Sequence, residues 1–338
     1  MIRGLIAIAI AISIASGPSG AKSEIASEDF FVDAATPGTK LFVRNKHADG
    51  SLPPDRIVLF VHGLLFPSES NFDLALDGLS WMDFVARDGW DVYAMDVRAY
   101  GRSTRPPEMS QPPTENLPIG GYDTFVSDIG SVVDAIRARR HVTKVNLVGW
   151  SLGAGMAGAY TASANDKISR LVMFAPGWLP TTRPDPGKWS KLGAYLENTK
   201  DEEDYASIPP ARREAIYPRA WFEAWWAAQF ATDPAGAAKN PPIIRSPAGP
   251  LADVRKHALS GRAFYDPGKI TVPTLVVVGE WDTDTPPARG QTVFALLTHA
   301  PIKRFVMLGE GTHMMAFETT RIALFSEVQN FLNTEHRK

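Results

Sequence analysis

Residues 144–155 read Lys144-Val145-Asn146-Leu147-Val148-Gly149-Trp150-Ser151-Leu152-Gly153-Ala154-Gly155, and this stretch decides the fold. Its first half is a continuous apolar and β-branched run, as expected for a strand buried on both faces. Its second half opens a small-residue helix that runs to Ala164. Between them sits Gly-x-Ser-x-Gly, with Ser151 on the strand-to-helix turn. Gly149 and Gly153 keep side chains away from that turn, while Ala154 and Gly155 let the helix lie close to the sheet. A buried strand feeding directly into a helix is one unit of a parallel α/β sheet.

The same alternation continues on both sides. Arg56 to His62, Asp91 to Asp96, Ile168 to Phe174, Thr274 to Val278 and Arg304 to Leu308 read as buried strands, and Leu41 to Arg44 as a shorter one. Trp81 to Ala86 reads as a helix that stops at Asp88-Gly89. Phe125, Ile129, Val132, Val133 and Ile136 recur at helical spacing ahead of the basic stretch Arg137 to Arg140. Ala316 to Leu332 reads as the closing helix. The fold class is therefore α/β, a mostly parallel central sheet flanked by helices.

The alternation fails between Gly177 and Gly268. This stretch carries Trp178, Trp189, Trp221, Trp225 and Trp226 among many prolines and charges. It lies between two sheet strands, so it reads as an inserted helical cap (177–268) over the carboxyl ends of the strands, where open α/β sheets bind ligands. Residues 22–176 and 269–338 make the core. A length of 338 residues, 44% of them hydrophobic, suits one such domain with an insertion.

The formal net charge of −2 leaves no basic excess that would draw nucleic acid. There is no cysteine, which rules out disulfides and thiolate metal sites. The chain opens with Met1-Ile2-Arg3, then an apolar run to Ala15 and small residues through Ser19 and Ala21. This pattern predicts a signal peptide over 1–21, cleaved after Ala21, and hence a periplasmic or secreted protein. The apolar run is too short for a spanning helix, which needs roughly twenty residues, so no stable membrane anchor is expected.

A serine hydroxyl needs an adjacent base to become a nucleophile. Of the four histidines after Ser151, His336 lies in the tail, His299 at a helix end and His257 in the insertion. His313 sits in the glycine-rich loop Gly309-Glu310-Gly311-Thr312-His313 directly after the last strand, where the base belongs. The acid should follow the preceding strand. Glu280, Asp282 and Asp284 all stand there. An oxyanion needs two backbone N–H donors. Leu152, next after Ser151, is one candidate. Leu64, in His62-Gly63-Leu64-Leu65, is the other, with Leu65 as the alternative. Gly63 lets the backbone approach a substrate, and His62 is expected to order this loop.

From about Lys40 to Leu332 the chain resembles the α/β-hydrolase superfamily. The matching pieces are His62-Gly63, Asp96-Val97-Arg98-Ala99-Tyr100-Gly101-Arg102-Ser103, Gly149 to Gly153, Gly279-Glu280-Trp281-Asp282 and Gly311-Thr312-His313. The resemblance implies that Asp282, fourth in its loop, is the acid. Ala99 departs from it, since relatives commonly carry glycine there. Serine at position 151, where haloalkane dehalogenases and epoxide hydrolases hold aspartate, argues against both of those activities. The expected reaction is hydrolysis of a small-molecule carboxylic ester or lactone through an acyl-enzyme. The same machinery on an amide or a carbon–carbon bond, or acyl transfer, stays open, as does a non-catalytic binding protein. Trp225, Trp226 and Met314 are the expected substrate-binding residues. Because Trp225 and Trp226 are adjacent on a helix, about 100° apart, they cannot both face one pocket squarely, and only one of them should matter for substrate choice. No metal-ligand cluster or phosphate-cradling loop occurs, so no cofactor is expected.

Overall fold

The computed structural model describes residues 24–50, 52–177 and 191–334. The expected signal peptide, Trp178 and Trp189 lie outside the described residues. The strands are β1 (Ile25–Asp33), β2 (Lys40–Ala48), β3 (Ile57–Val61), β4 (Asp91–Met95), β5 (Val145–Trp150), β6 (Ile168–Phe174), β7 (Tyr195–Thr199), β8 (Ile243–Pro247), β9 (Thr274–Gly279) and β10 (Lys303–Leu308). Eight of them form one sheet in the order β1-β2-β4-β3-β5-β6-β9-β10. From β4 to β10 all neighbours are parallel, and β2 joins β4 and β1 antiparallel.

Every residue of β3, β4, β5 and β9 is buried, which is why they read as unbroken apolar runs. β1 is an edge strand with most of its side chains at least partly in water. It carries Glu28, Asp29 and Asp33 and shows no buried run, so the sequence reading passed over it.

The helices are α1 (Ser68–Phe72), α2 (Trp81–Arg87), α3 (Tyr122–Arg140), α4 (Leu152–Ser163), α5 (Glu203–Ser207), α6 (Arg213–Ile216), α7 (Arg219–Ala231), α8 (Pro234–Ala237), α9 (Gly249–Ser260), α10 (Pro287–Leu296) and α11 (Arg321–Asn333). Two apolar clusters cover the two faces of the sheet. One gathers Trp81, Phe325 and Phe331 from α2 and α11; the other gathers Phe125, Ile136, Met156 and Val293 from α3, α4 and α10.

The closing helix is shorter than expected. A 3₁₀ turn at Met315–Phe317 is followed by extended backbone at Glu318, and α11 starts only at Arg321. The extended backbone at Glu318 separates the turn from α11, and its carboxylate accepts the Thr312 amide at 3.2 Å.

The stretch between β6 and β9 adds no strand to the main sheet. Its described part is mostly helical, α5 to α9, and also carries an antiparallel pair, β7 with β8, that the sequence reading did not foresee. Asp233 fastens α8 to β8: its carboxylate accepts from Arg245 Nε and from the Arg245 amide, both at 2.9 Å. Ala99 has φ 70°, the left-handed region in which glycine is most at ease. Its buried methyl packs with Met109, Ala194 and Tyr195, so the extra carbon meets the inserted stretch.

Candidate active site

Ser151 caps α4 at its amino end with φ 56° and ψ −120°. A non-glycine residue held there costs on the order of 1–3 kcal/mol, so its surroundings must fix it. Its N–H donates to Phe174 O at 2.9 Å, and its carbonyl accepts from the Ala154 amide at 3.1 Å and the Gly155 and Gly177 amides at 3.3 Å. A Cβ on Gly149 would stand 2.6 Å from Ala154 Cα, and one on Gly153 would stand 2.5 Å from Val61 O. Both clashes are with backbone, which cannot swing away, so the turn requires glycine at each position.

The Ser151 hydroxyl donates to His313 Nε2 at 3.0 Å, and His313 Nδ1–H donates to Asp282 Oδ2 at 2.9 Å. Asp282 and His313 are buried, at 3% and 7% exposure, so the bond between them is shielded from water. The three residues come from the ends of β5, β9 and β10, which the parallel sheet sets side by side.

The two rival acids lie elsewhere. Glu280 is exposed and accepts the Glu310 amide at 3.0 Å. Asp284 is also exposed, and α10 starts without a side-chain cap.

Four further residues hold this arrangement, and the sequence assigned none of them a role. Thr285 gives both of its donors to Asp282, N–H to Oδ1 at 2.7 Å and Oγ1–H to Oδ2 at 2.8 Å. Glu318 accepts the Thr312 amide and the Thr312 hydroxyl, and Thr312 Oγ1 accepts the Met314 amide at 3.0 Å, so the residues on both sides of His313 are pinned. Tyr100 donates its hydroxyl to Leu64 O at 3.2 Å. Thr285 and Thr312 are hydroxyl residues close in sequence to the candidate acid and base; Glu318 and Tyr100 carry no such local signal.

His62 orders the loop of Gly63 and Leu64, as expected. It is fully buried; its Nδ1–H donates to Gly63 O at 2.8 Å and its Nε2 accepts the Val97 amide at 3.2 Å. Burial holds its pKa down at about 4, against a smaller opposing effect of the Gly63 carbonyl, so the ring is neutral. In a trans peptide C=O and N–H point opposite ways. His62 therefore fixes the Leu64 N–H, and Tyr100 fixes the Leu65 N–H in the same manner. Among the described residues the amides of Leu64 and Leu152 have no hydrogen-bond partner.

Gly63, Leu64, Trp150, Ser151, Leu152 and His313 border a cavity of about 410 Å³. Trp225, Trp226 and Met314 line it as well, so all of the expected site residues except the buried Asp282 meet there. Both tryptophans border the cavity, although adjacent helical positions point about 100° apart. Both indoles are buried and both lie edge-on to Phe66, with ring centroids 4.7 and 5.7 Å away. They leave α7 in different directions, but each is long enough to bend toward the same ring. Tyr217, Phe222, Leu251, Val254 and Phe264 from the insertion complete the walls. Among the described residues no group of side chains could hold a metal ion.

A search of curated protein sequences gives no match. Among solved structures, the chain is similar to a hydrolase from Pseudomonas aeruginosa, at 20% identity and TM-score 0.60, over 90% of this chain and 98% of that one. It is similar to a monoacylglycerol lipase from Paleococcus ferrophilus, at 17% identity and TM-score 0.59, over 86% of this chain and 98% of that one. It is also similar to an enol-lactonase from Burkholderia xenovorans, at 17% identity and TM-score 0.56, over 89% of this chain and 99% of that one. At these identities the likeness shows the fold. The family model for the alpha/beta hydrolase fold matches residues 56–320, which span the sheet from β3 onward together with Ser151, Asp282 and His313. With strand order, serine turn and sequence model in agreement, the chain belongs to the alpha/beta hydrolase fold family.

Proposed function

We propose that this chain is a serine hydrolase that cleaves a carboxylic ester or lactone through an acyl-enzyme. The observation that carries the reading is the hydrogen-bonded series Ser151–His313–Asp282, at 3.0 and 2.9 Å, on the wall of a largely apolar cavity. In this reading Ser151 Oγ attacks the carbonyl carbon while His313 Nε2 takes the hydroxyl proton. Asp282 holds the Nδ1–H tautomer and stabilises the imidazolium. The Leu64 and Leu152 amides receive the oxyanion. His313 then returns the proton to the departing alcohol oxygen, and water repeats the sequence on the acyl-enzyme. The relative described as a lipase and the one described as an enol-lactonase are in keeping with this chemistry.

A fluorophosphonate probe should label the wild type at Ser151 and leave Ser151→Ala unlabelled, with aryl-ester turnover reduced by several orders of magnitude in the variant. Near-normal turnover by Ser151→Ala would sink the assignment. The reading includes export, supported by the sequence of residues 1–21. Mass spectrometry of the protein from its native envelope should find an amino terminus near Lys22, and an intact Met1 would be the contrary result.

A further inference from the structure

The cavity around Ser151 is apolar on one side and carries a cation on the other. Trp225, Trp226, Phe222 and Met314 belong to the apolar cluster on one face of the sheet. Leu152 and Phe264 pack with the cluster on the opposite face, to which α10 also contributes. Arg289, in the first turn of α10, lines the cavity. One of its N–H groups, on Nη1, donates to Asp284 O at 2.9 Å. Its Nε–H is buried and meets no acceptor among the described residues. No carboxylate forms an ion pair with it among the described residues; burial pushes its pKa down, and the nearby Asp282 and Asp284 only partly oppose that.

A guanidinium presents five donors in a fixed fork that matches a carboxylate. A partly buried one with unused donors is costly unless an anion meets it. Two carboxylates also border the cavity, those of Asp201 and Asp284. Both residues are exposed, so water screens them, whereas the Arg289 Nε is cut off from water.

We infer that Arg289 is a specificity residue that binds a free carboxylate on the substrate, remote from the scissile carbonyl, while the tryptophan wall holds the apolar arm. The substrate class is an ester or lactone that is also a carboxylic acid. The inference rests on the serine-hydrolase reading for the identity of the scissile bond. It does not rest on it for the binding of the anion.

The test is a binding comparison in full-length Ser151→Ala protein, where nothing is turned over. The probes are a monoalkyl ester of a straight-chain dicarboxylic acid and the same ester with the free carboxyl converted to an amide. The acid should bind about 10- to 100-fold more tightly than the amide, the range expected for charge-assisted hydrogen bonds. Adding Arg289→Gln should remove that ratio, and Arg289→Lys should keep part of it. Equal binding of acid and amide, a ratio unchanged by Arg289→Gln, or tighter binding of an ammonium analogue would each overturn the inference. If Arg289→Gln does not fold, raising the salt concentration decides on the Ser151→Ala protein itself: the ratio should fall, and a salt-independent ratio overturns the proposal. Failure of the wild type to hydrolyse the neutral diester bears on the serine-hydrolase reading alone.

Discussion

Thr285 donates both its backbone N–H and its hydroxyl to the carboxylate of Asp282, at 2.7 and 2.8 Å. The same hydroxyl oxygen lies 3.1 Å from Ala175 O and 3.3 Å from His313 Nδ1. The acid is therefore oriented from one side by a single residue three positions along the chain. Hydrogen bonds to a charged group are worth about 1.5–3 kcal/mol. Thr285→Val keeps the shape and removes one donor, so kcat should fall roughly 10- to 100-fold with KM little changed, as positioning of a catalytic group predicts. Thr285→Ser should restore most of the loss. An unchanged kcat in the valine variant would show that the backbone N–H suffices.

Asp282→Asn keeps the loop but offers His313 Nδ1 an amide that favours the wrong tautomer. Turnover should fall on the order of 10⁴-fold, as in the triad template. Asp284→Asn changes an exposed side chain and should cost far less. Steady-state kinetics of the two variants decide between them, and the reverse ranking would move the acid to Asp284.

Trp225 and Trp226 both border the cavity, with their rings 5.1 Å apart at 75°. Trp225→Phe and Trp226→Phe should each enlarge the apolar side and shift preference toward longer esters. Specificity constants across a chain-length series measure this. A response from one variant alone would restore the expectation drawn from helical spacing.

His62 and Asp96 are buried groups whose pKa values move in opposite directions. Burial lowers His62 from 6.5 to about 4 and raises Asp96 from 3.8 to about 7; the Ser68 and Arg102 amides partly oppose the latter. As pH falls from about 6.5 toward 4, the unfolded chain protonates His62 before the folded one does, so stability is lost. The folded chain keeps its proton on Asp96 up to about pH 7, so this contribution is present at low pH and lost as pH rises. Between pH about 4 and 6.5 the two slopes therefore oppose each other. Nuclear magnetic resonance of the imidazoles should find His62 neutral at about pH 5. Asp96→Asn should make the melting temperature drop more steeply on acidification than in the wild type. A protonated His62 at that pH would contradict the burial argument.

The sequence by itself determined the parallel sheet, the serine turn and the loop that carries His313. These are local matters. A strand buried on both faces shows an unbroken apolar run, Gly149 is demanded by the backbone of its own turn, and a glycine-rich loop after the last strand is visible without knowing its neighbours. Tertiary structure decided what depends on residues far apart in the chain. Three carboxylates followed β9; the resemblance pointed to Asp282, and the approach of the His313 loop is what brings its carboxylate within 2.9 Å of His313 Nδ1. β7 and β8 pair across a long separation, Glu197 opposite Arg245, and no periodicity announces such a partner. Both tryptophans share one cavity because Phe66, more than 150 residues earlier, lies against each of them. Arg289 looks in the sequence like any surface cation of a helix. Only packing α10 beside the cavity puts its guanidinium there, because burial and unmet hydrogen bonds belong to the folded surroundings and not to the residue.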